Sequence, residues 1–335
     1  MSKKGRANGS FFGNHIYESL LARRSHLLYE LGQVVDFSFV RHACRDFYVD
    51  WGRDAWDPVL MFKMVFLQFL YDLSDREVEE QVTFNMAFKW FLGLSAEEFP
   101  PDHTTLCRFR QRLGADGFRT LFNAVVEQAR EKGLVSDRLH ILDATHMAAK
   151  VDLFRVKQEH ANQDNDDDQG YIDRGSPDPE ARFGRKSKKK GFYGYKCHMV
   201  EDADSELIVQ ITATPGNVHD GRLLPELIDA QPREATADKA YDSQHNHAYL
   251  ASQGVTSGII RRHQRPGRPR HSKRERPKIE RKFAECKSFH GLRKARYWGL
   301  AKVMIQTFMV AIVVNCKRLV KLAKAQRHPP RAAYA

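Results

Sequence analysis

The sequence has little cysteine, and the cysteine it has forms no pattern. Cys44, Cys107, Cys197, Cys286 and Cys316 are scattered over 335 residues without a CxxC pair or metal-ligand spacing. That argues against a zinc module or a disulfide framework and fits a reducing cytosol. Long hydrophobic runs are missing too. The most apolar run, Val303 to Val314, is interrupted by Gln306 and Thr307 and is shorter than the ~20 residues a membrane span needs. A buried amphipathic helix is predicted there, and no membrane partner. No apolar segment follows the N-terminal Met-Ser-Lys-Lys-Gly-Arg, so no signal peptide is expected. Acid is scarce relative to base: 42 Asp and Glu stand against 54 Lys and Arg, a net charge of +12. A polyanionic partner follows, with nucleic acid the first candidate and an anionic membrane surface the second.

What is present divides near residue 138. Residues 1–14 read as a flexible basic arm. Residues 15–130 read as a helical domain. Apolar spacing predicts a helix over His15 to Glu30 and a strongly apolar one opened by Asp57-Pro58. Ser74 caps a third, with Glu77 at the capping-box position. Phe88, Trp90, Phe91 and Leu92 look like core. Pro100-Pro101-Asp102 then punctuates the chain before a helix over Thr105 to Leu113 that bears Arg108, Arg110, Gln111 and Arg112. Three short helices ending in a basic one resemble a helix-turn-helix, whose last helix would enter the major groove. Helical packing or dimerisation is the competing account.

From 138 to 324 the pattern is strand, hairpin, helix, strand, helix, strand, helix. The first strand, Arg138 to Thr145, is apolar with Asp143 at its end. Residues 151–192 read as a polar, exposed insertion with acids at Asp164, Asp166, Asp167 and Asp168 and a basic run from Arg185 to Lys190. Gly194 to Glu201 and Glu206 to Thr214 form the hairpin. Asp220 opens a helix to Ile228. Glu234 to Asp238 is a short buried strand. A helix over Ser243 to Ser252 and a strand over Val255 to Ile260 follow. Residues 325–335 are a tail. This is the element order of an RNase H-like domain. The fold class is therefore α/β: an RNase H-like mixed-sheet catalytic domain preceded by an all-α N-terminal domain.

In such a sheet the first and fourth strands lie side by side, so Asp143 and Asp238 would converge. The third acid is Glu280. A helix is predicted to begin at Pro277, since proline tolerates the first helical position. At ~100° per residue, Glu280 lies about 40° and Lys287 about 20° from Arg276, on one stripe. Ile279, Phe283 and Cys286 form the apolar side. Taken alone, such a stripe is most simply a solvated, salt-bridged surface. An acid at the end of an apolar strand is costly without a partner, which favours a functional Asp143. Asp238 competes with Asp242, which stands where the following helix needs an N-cap. His146 and His219 remain secondary. Three carboxylates suit a hard cation, Mg²⁺ or Mn²⁺. Two such ions about 3.5–4 Å apart could activate a water or a 3′-hydroxyl for in-line phosphoryl displacement.

Ile141-Leu-Asp143-Ala-Thr, Ala237-Asp238-Lys-Ala-Tyr241-Asp242-Ser and Arg276-x3-Glu280-x6-Lys287 resemble the three motifs of bacterial insertion-sequence DDE transposases, most closely the insertion-sequence-five type. The last motif is similar to that superfamily's tyrosine-arginine-glutamate-lysine signature. Gly194-Tyr195-Lys196-Cys-His198 and Asn315-Cys-Lys317-Arg318-Leu319 also fit, and residues 57–113 resemble the helical domain found ahead of such catalytic domains. The resemblance covers most of residues 40–322. The signature tyrosine falls at Lys273, where the chain departs from the pattern. The resemblance implies a transposase that binds the terminal inverted repeats of its element, cleaves at the ends and joins 3′-ends to target DNA. Its catalytic and metal-binding residues would be Asp143, Asp238 and Glu280, with two Mg²⁺ ions that Mn²⁺ could replace. It would act in the bacterial cytoplasm, at the nucleoid, as a homodimer in synapsis on double-stranded DNA.

Arg276, Lys287 and Lys273 would then face DNA. Arg261 to Lys278 holds nine Lys or Arg and one acid, so Arg261, Arg262, Arg265, Arg268 and Arg270 are read as phosphate contacts, with Arg108, Arg110 and Arg112 on the N-terminal domain. Two alternatives stand beside this reading: a catalytically silent DNA-binding descendant, and a nuclease that does not join ends.

Overall fold

The computed structural model describes residues 11–48, 55–155, 176–187, 190–228, 232–261 and 271–327; for 11–14, 186, 187, 190 and 271–273 it describes the backbone alone. Residues 1–10, the acids from Asp164 to Asp168, Lys188, Lys189, Arg262, Arg265, Arg268, Arg270 and the tail from 328 lie outside the described residues. The chain divides into two compact units, 1–129 with 312–335, and 130–311.

The first unit is helical: α1 (Phe11–Arg23), α2 (Leu27–Val34), α3 (Phe39–Ala43), α4 (Pro58–Leu70), α5 (Asp75–Phe84), α6 (Met86–Leu92) and α7 (His103–Glu131). The helix expected over His15 to Glu30 is two helices, because Ser25 takes a positive φ of 47°. α1 also begins inside the stretch read as an arm. In α4, Asp57 Oδ1 accepts from Val59 N at 2.9 Å, and Pro58 sits where a helix has no use for an N–H. From Leu60 to Leu70 every residue of α4 but Lys63 is buried. At about 1.5–3 kcal/mol for each large apolar side chain, α4 is the helix on which this unit is built. The capping box at Ser74 and Glu77 is present. α6 stops at Gly93, whose φ of 75° is open to glycine at little cost.

The helix expected to end at Leu113 instead continues through a kink. Gly114 adopts φ 59° and ψ −172°, and Phe118, Leu121, Phe122 and Val125 then bury a second stripe at helical spacing.

The second unit is built on a six-stranded mixed sheet: β1 (Leu139–Ala148), β2 (Arg182–Ser187), β3 (Lys190–Asp202), β4 (Ile208–Pro215), β5 (Glu234–Thr236) and β6 (Thr256–Ser257). β3 pairs antiparallel with β2 and β4 and, on its other edge, with β1; β5 and β6 continue beyond β1 in parallel. β1 extends to Ala148, so Asp143 is mid-strand and not at its end. The nine-residue ladder with β3 explains the extension. Residues 182–187 and 190–192, inside the stretch read as an exposed insertion, belong to the sheet. Asp178 is buried there and accepts from Tyr195 Oη at 2.6 Å and Gly299 N at 3.1 Å. A polar composition hid this, because the burial is that of a hydrogen-bonded carboxylate.

The helix expected from Asp220 to Ile228 is a 3-10 turn, Asp220–Leu223, followed by the short α8 (Leu224–Leu227). Then come α9 (Gln244–Ser252), α10 (His271–Phe289) and α11 (Leu300–Arg327). Leu142 and Val200 meet Leu223, Leu224, Leu227, Tyr241 and Leu250 in one core cluster. α10 packs over β1. α11 is long and apolar enough to cross a membrane, yet 89% of its most apolar window is buried inside the protein.

Candidate active site

Two neighbouring parallel strands bring the first two acids together. Ile141 pairs with Thr236. Asp143 and Asp238 each stand two residues beyond that pair, and Asp238 lies near enough to push the Asp143 carboxyl up. The apolar run Leu139, Ile141 and Leu142 buries the start of β1 and carries Asp143 into a poorly solvated position, 18% exposed. Asp143 Oδ1 accepts from Ala144 N at 2.8 Å. Oδ2 faces Arg276 Nη2 at 3.6 Å, an ion pair longer than a hydrogen bond. Burial raises the Asp143 carboxyl to about 6; Asp238 and Asp220 push the same way, while the Ala144 amide and Arg276 pull down. Its oxygens are hard donors left largely unsatisfied, which fits a divalent cation.

Asp238 follows β5 and caps the 3-10 turn Lys239–Tyr241, accepting from Ala240 N at 2.8 Å. Asp242 is not the N-cap expected of it. Ser243 caps α9, and Asp242 accepts from His247 Nε2 at 2.9 Å. Capping, offset by one residue, therefore gives no reason to set Asp242 aside, and what separates the two acids is their partners: an amide for Asp238, His247 for Asp242.

Asp220 is the acid that sequence reasoning treated as a helix start. It lies near enough to raise Asp143, and Lys196 Nζ holds it at 2.9 Å while also donating to Val218 O at 2.8 Å. His219 caps the Asp220 turn through Nδ1. The signal available was the coincidence of Lys196 and Asp220 in two stretches of unusual polarity, but only the fold pairs them. His198 is a core histidine: burial pushes it down to about 4, and Nε2 meets Thr214 Oγ1 at 2.9 Å. His146 packs its ring against Phe192.

On α10 the expected apolar side is present, with Ile279, Phe283 and Cys286 buried. The helix begins at His271, six residues before the expected start, so Pro277 lies inside it. Glu280 is exposed, one turn beyond Arg276 and between Lys278, which donates to Ala203 O at 2.7 Å, and Lys282, 3.9 Å from buried Glu201. It is on the helix that delivers Arg276 to Asp143. Lys287 is half-buried and lies near Cys197, which pairs with Thr145 on β1; burial pushes that thiol up, Cys286 adds to it, and Lys287 offsets part of the rise. Lys273 is in the helix, its side chain outside the described residues. Arg261 is exposed.

In the helical unit, Arg108 and Arg112 are exposed, with Arg112 over the Tyr48 ring at 4.9 Å. Arg110 is corrected from a DNA contact to a structural ion pair. It is 5% exposed and gives Nη2 to Asp75 Oδ2 at 2.5 Å and Nη1 to Gln68 Oε1 at 3.1 Å. It lies on the apolar side of α7 between Phe109 and Leu113, not with Arg108.

Among the described residues, the group of three ligand-type side chains with atoms within 4.8 Å of one another is Asp137, His140 and Asp202. These carboxylates are taken by protein donors. Asp137 is bound by Arg130 at 2.5 Å and His140 at 2.8 Å. Asp202 accepts from Ser136 Oγ, Asp137 N, Ser205 N and Ser205 Oγ. The cluster closes a turn.

Two family models match the chain: Transposase domain (DUF772) over residues 15–112 and Transposase DDE domain over residues 136–316, more than half of the chain. Among solved structures, the chain is similar to a piggyBac transposase synaptic complex with hairpin DNA, at 12% identity and a TM-score of 0.43, covering 95% of this chain and 78% of that one. Together the two domain matches are those of the insertion-sequence four/five-like kind, a family whose chemistry uses divalent metal. The chain belongs to the DDE-domain transposases and is a DDE-type DNA transposase.

Proposed function

We propose that Asp143, Asp238 and Glu280 are the catalytic acids of an RNase H-like domain that cleaves DNA at the ends of an insertion-sequence-five-type element and transfers the 3′-ends to target DNA. The observation that carries this reading is Asp143 itself. It is a desolvated carboxylate in mid-strand, close to Asp238, and among the described residues its partners are one amide and a distant guanidinium. The strand order β4–β3–β1–β5–β6 supports the fold. Glu280 is exposed and, among the described residues, has no hydrogen bond or ion pair, which leaves its carboxylate available as a third donor.

Asp143, Asp238 and Glu280 would hold the cation, Mg²⁺ by the hardness of the donors, with Mn²⁺ as its substitute. When bound, it supplies activation of an attacking oxygen and stabilisation of the leaving oxygen at phosphorus. Asp143 and Asp238 orient from rigid strands, and Glu280 completes the set from α10. Arg276 and Lys287 border this group and bind the phosphate backbone, where each neutralised phosphate steepens the salt dependence by ~0.9. The basic loop before α10 tracks the same backbone, and Arg108 and Arg112 give the helical unit its share of contact with the inverted repeats. Synapsis of two ends calls for a homodimer, at work on the nucleoid.

The test is Mg²⁺-dependent cleavage and joining on a duplex carrying an element end. Asp143→Asn, Asp238→Asn and Glu280→Gln are expected to lose both steps while still shifting the duplex in a gel. Full activity in Glu280→Gln would remove that residue from the set. Cleavage without joining in the wild-type chain would favour the nuclease.

A further inference from the structure

Tyr241 closes the turn that Asp238 opens. Its side chain is fully buried, and among the described residues its hydroxyl has no hydrogen-bond partner. A buried phenol usually finds a partner for its O–H. The ring packs in the apolar cluster with Leu142, Leu223 and Leu250, so phenylalanine would satisfy every packing need. The hydroxyl is therefore an uncompensated polar atom that the core does not require.

Its surroundings point to what it is for. The Asp238 turn and the Asp220 turn are clamped together by Asn246, whose Nδ2 donates to Tyr241 O at 2.8 Å and Gly221 O at 2.9 Å. The approach is close: a Cβ on Gly221 would lie 2.8 Å from Ala240 O. Asp220, Asp143 and Asp238 are the carboxylates that disfavour ionisation of the phenol, after burial itself. The hydroxyl thus stays a neutral donor, mounted on the turn whose Tyr241 N donates to Asp238 O at 3.2 Å. Donors behind ligating carboxylates fix their orientation.

We infer that Tyr241 is a positioning residue of the acidic site, its hydroxyl donating to the Asp143–Asp238 carboxylate pair when that pair closes on a divalent cation. The inference rests on the reading of Asp143 and Asp238 as ligands.

The experiment uses the full chain and Mn²⁺ alone as probe, with free Mn²⁺ followed by electron paramagnetic resonance. Thermal melting is recorded in parallel in chelator. Tyr241→Phe is expected to melt in chelator at or above the wild-type temperature, having lost only an unpaired buried oxygen. Its apparent Kd for Mn²⁺ is expected to rise roughly 10-fold or more. Wild-type Mn²⁺ binding by Tyr241→Phe overturns the inference, and so does a loss of fold or a lower melting temperature in chelator, which would mark a structural hydroxyl. Asp143→Asn separates the two levels. If the wild-type chain takes up no Mn²⁺, or Asp143→Asn takes up as much, the acidic site itself is misread.

Discussion

β1 carries two acid-rich places only a few residues apart, and they are opposites. At its start, Asp137, His140 and Asp202 have the shorter distances and resemble a metal centre more closely. Every one of those groups is answered by a protein donor. At mid-strand, Asp143 is left, among the described residues, with one amide and an ion pair at 3.6 Å. Proximity of acids thus says less about cation binding than the number of oxygens the protein leaves unsatisfied.

The largest expected effect comes from acting on one place and then the other. Asp143→Asn should lower strand cleavage by about 10³-fold or more, the scale of several kcal/mol of transition-state stabilisation. Asp202→Asn should leave the cation chemistry intact in the folded fraction. Equal loss of cleavage in the two variants would erase the distinction. Asp202→Ala is expected to cost about 2–4 kcal/mol in urea unfolding, with or without Mg²⁺, because four donors lose their acceptor in a buried turn.

The metal-free stability should move the other way at Asp143. Its pKa is raised in the folded state to about 6 from an ordinary value near 4. Protonated Asp143 therefore favours the fold below about pH 4, and that contribution is lost as pH rises through about 6. In chelator at pH 8, Asp143→Asn should be more stable than wild type by on the order of 1–3 kcal/mol, with no gain below about pH 4. A gain independent of pH would mean that ionisation is not the cause. The same contrast can be drawn at low cost on α7. Arg110→Ala should destabilise the chain by about 1–3 kcal/mol by stranding Asp75 and Gln68. Arg108→Ala should leave stability within about 0.5 kcal/mol and reduce the slope of log DNA affinity against log salt by ~0.9.

Much of the local structure was legible because it rests on neighbours in sequence. Asp57-Pro58, the Ser74 and Glu77 capping box, and the stripe of Ile279, Phe283 and Cys286 all formed as their spacing requires. The misses are places where distant residues decide. Ser25 and Gly114 break or kink helices through single backbone angles. α10 starts before Pro277 although the sequence offers proline as a first residue. β1 runs on to Ala148 because β3 is there to pair with it. Arg110 looked like Arg108 in every property but the side of the helix it occupies, and that side faces Asp75.

By itself the sequence determined that the chain is basic and two-part, where the capped helices α4, α5 and α9 begin, and which stretches carry acids in the pattern of the DDE transposases. Spacing and composition suffice for these, since capping, amphipathic periodicity and net charge are local or additive quantities. Only the tertiary structure decided which acids are satisfied. It brought Asp238 close to Asp143, gave Asp220 to Lys196, closed the Asp202 turn with its own donors, and left the Tyr241 hydroxyl buried without an acceptor among the described residues. Hydrogen-bond satisfaction and desolvation depend on which groups meet in space, and residues nearly a hundred positions apart meet only when the sheet forms.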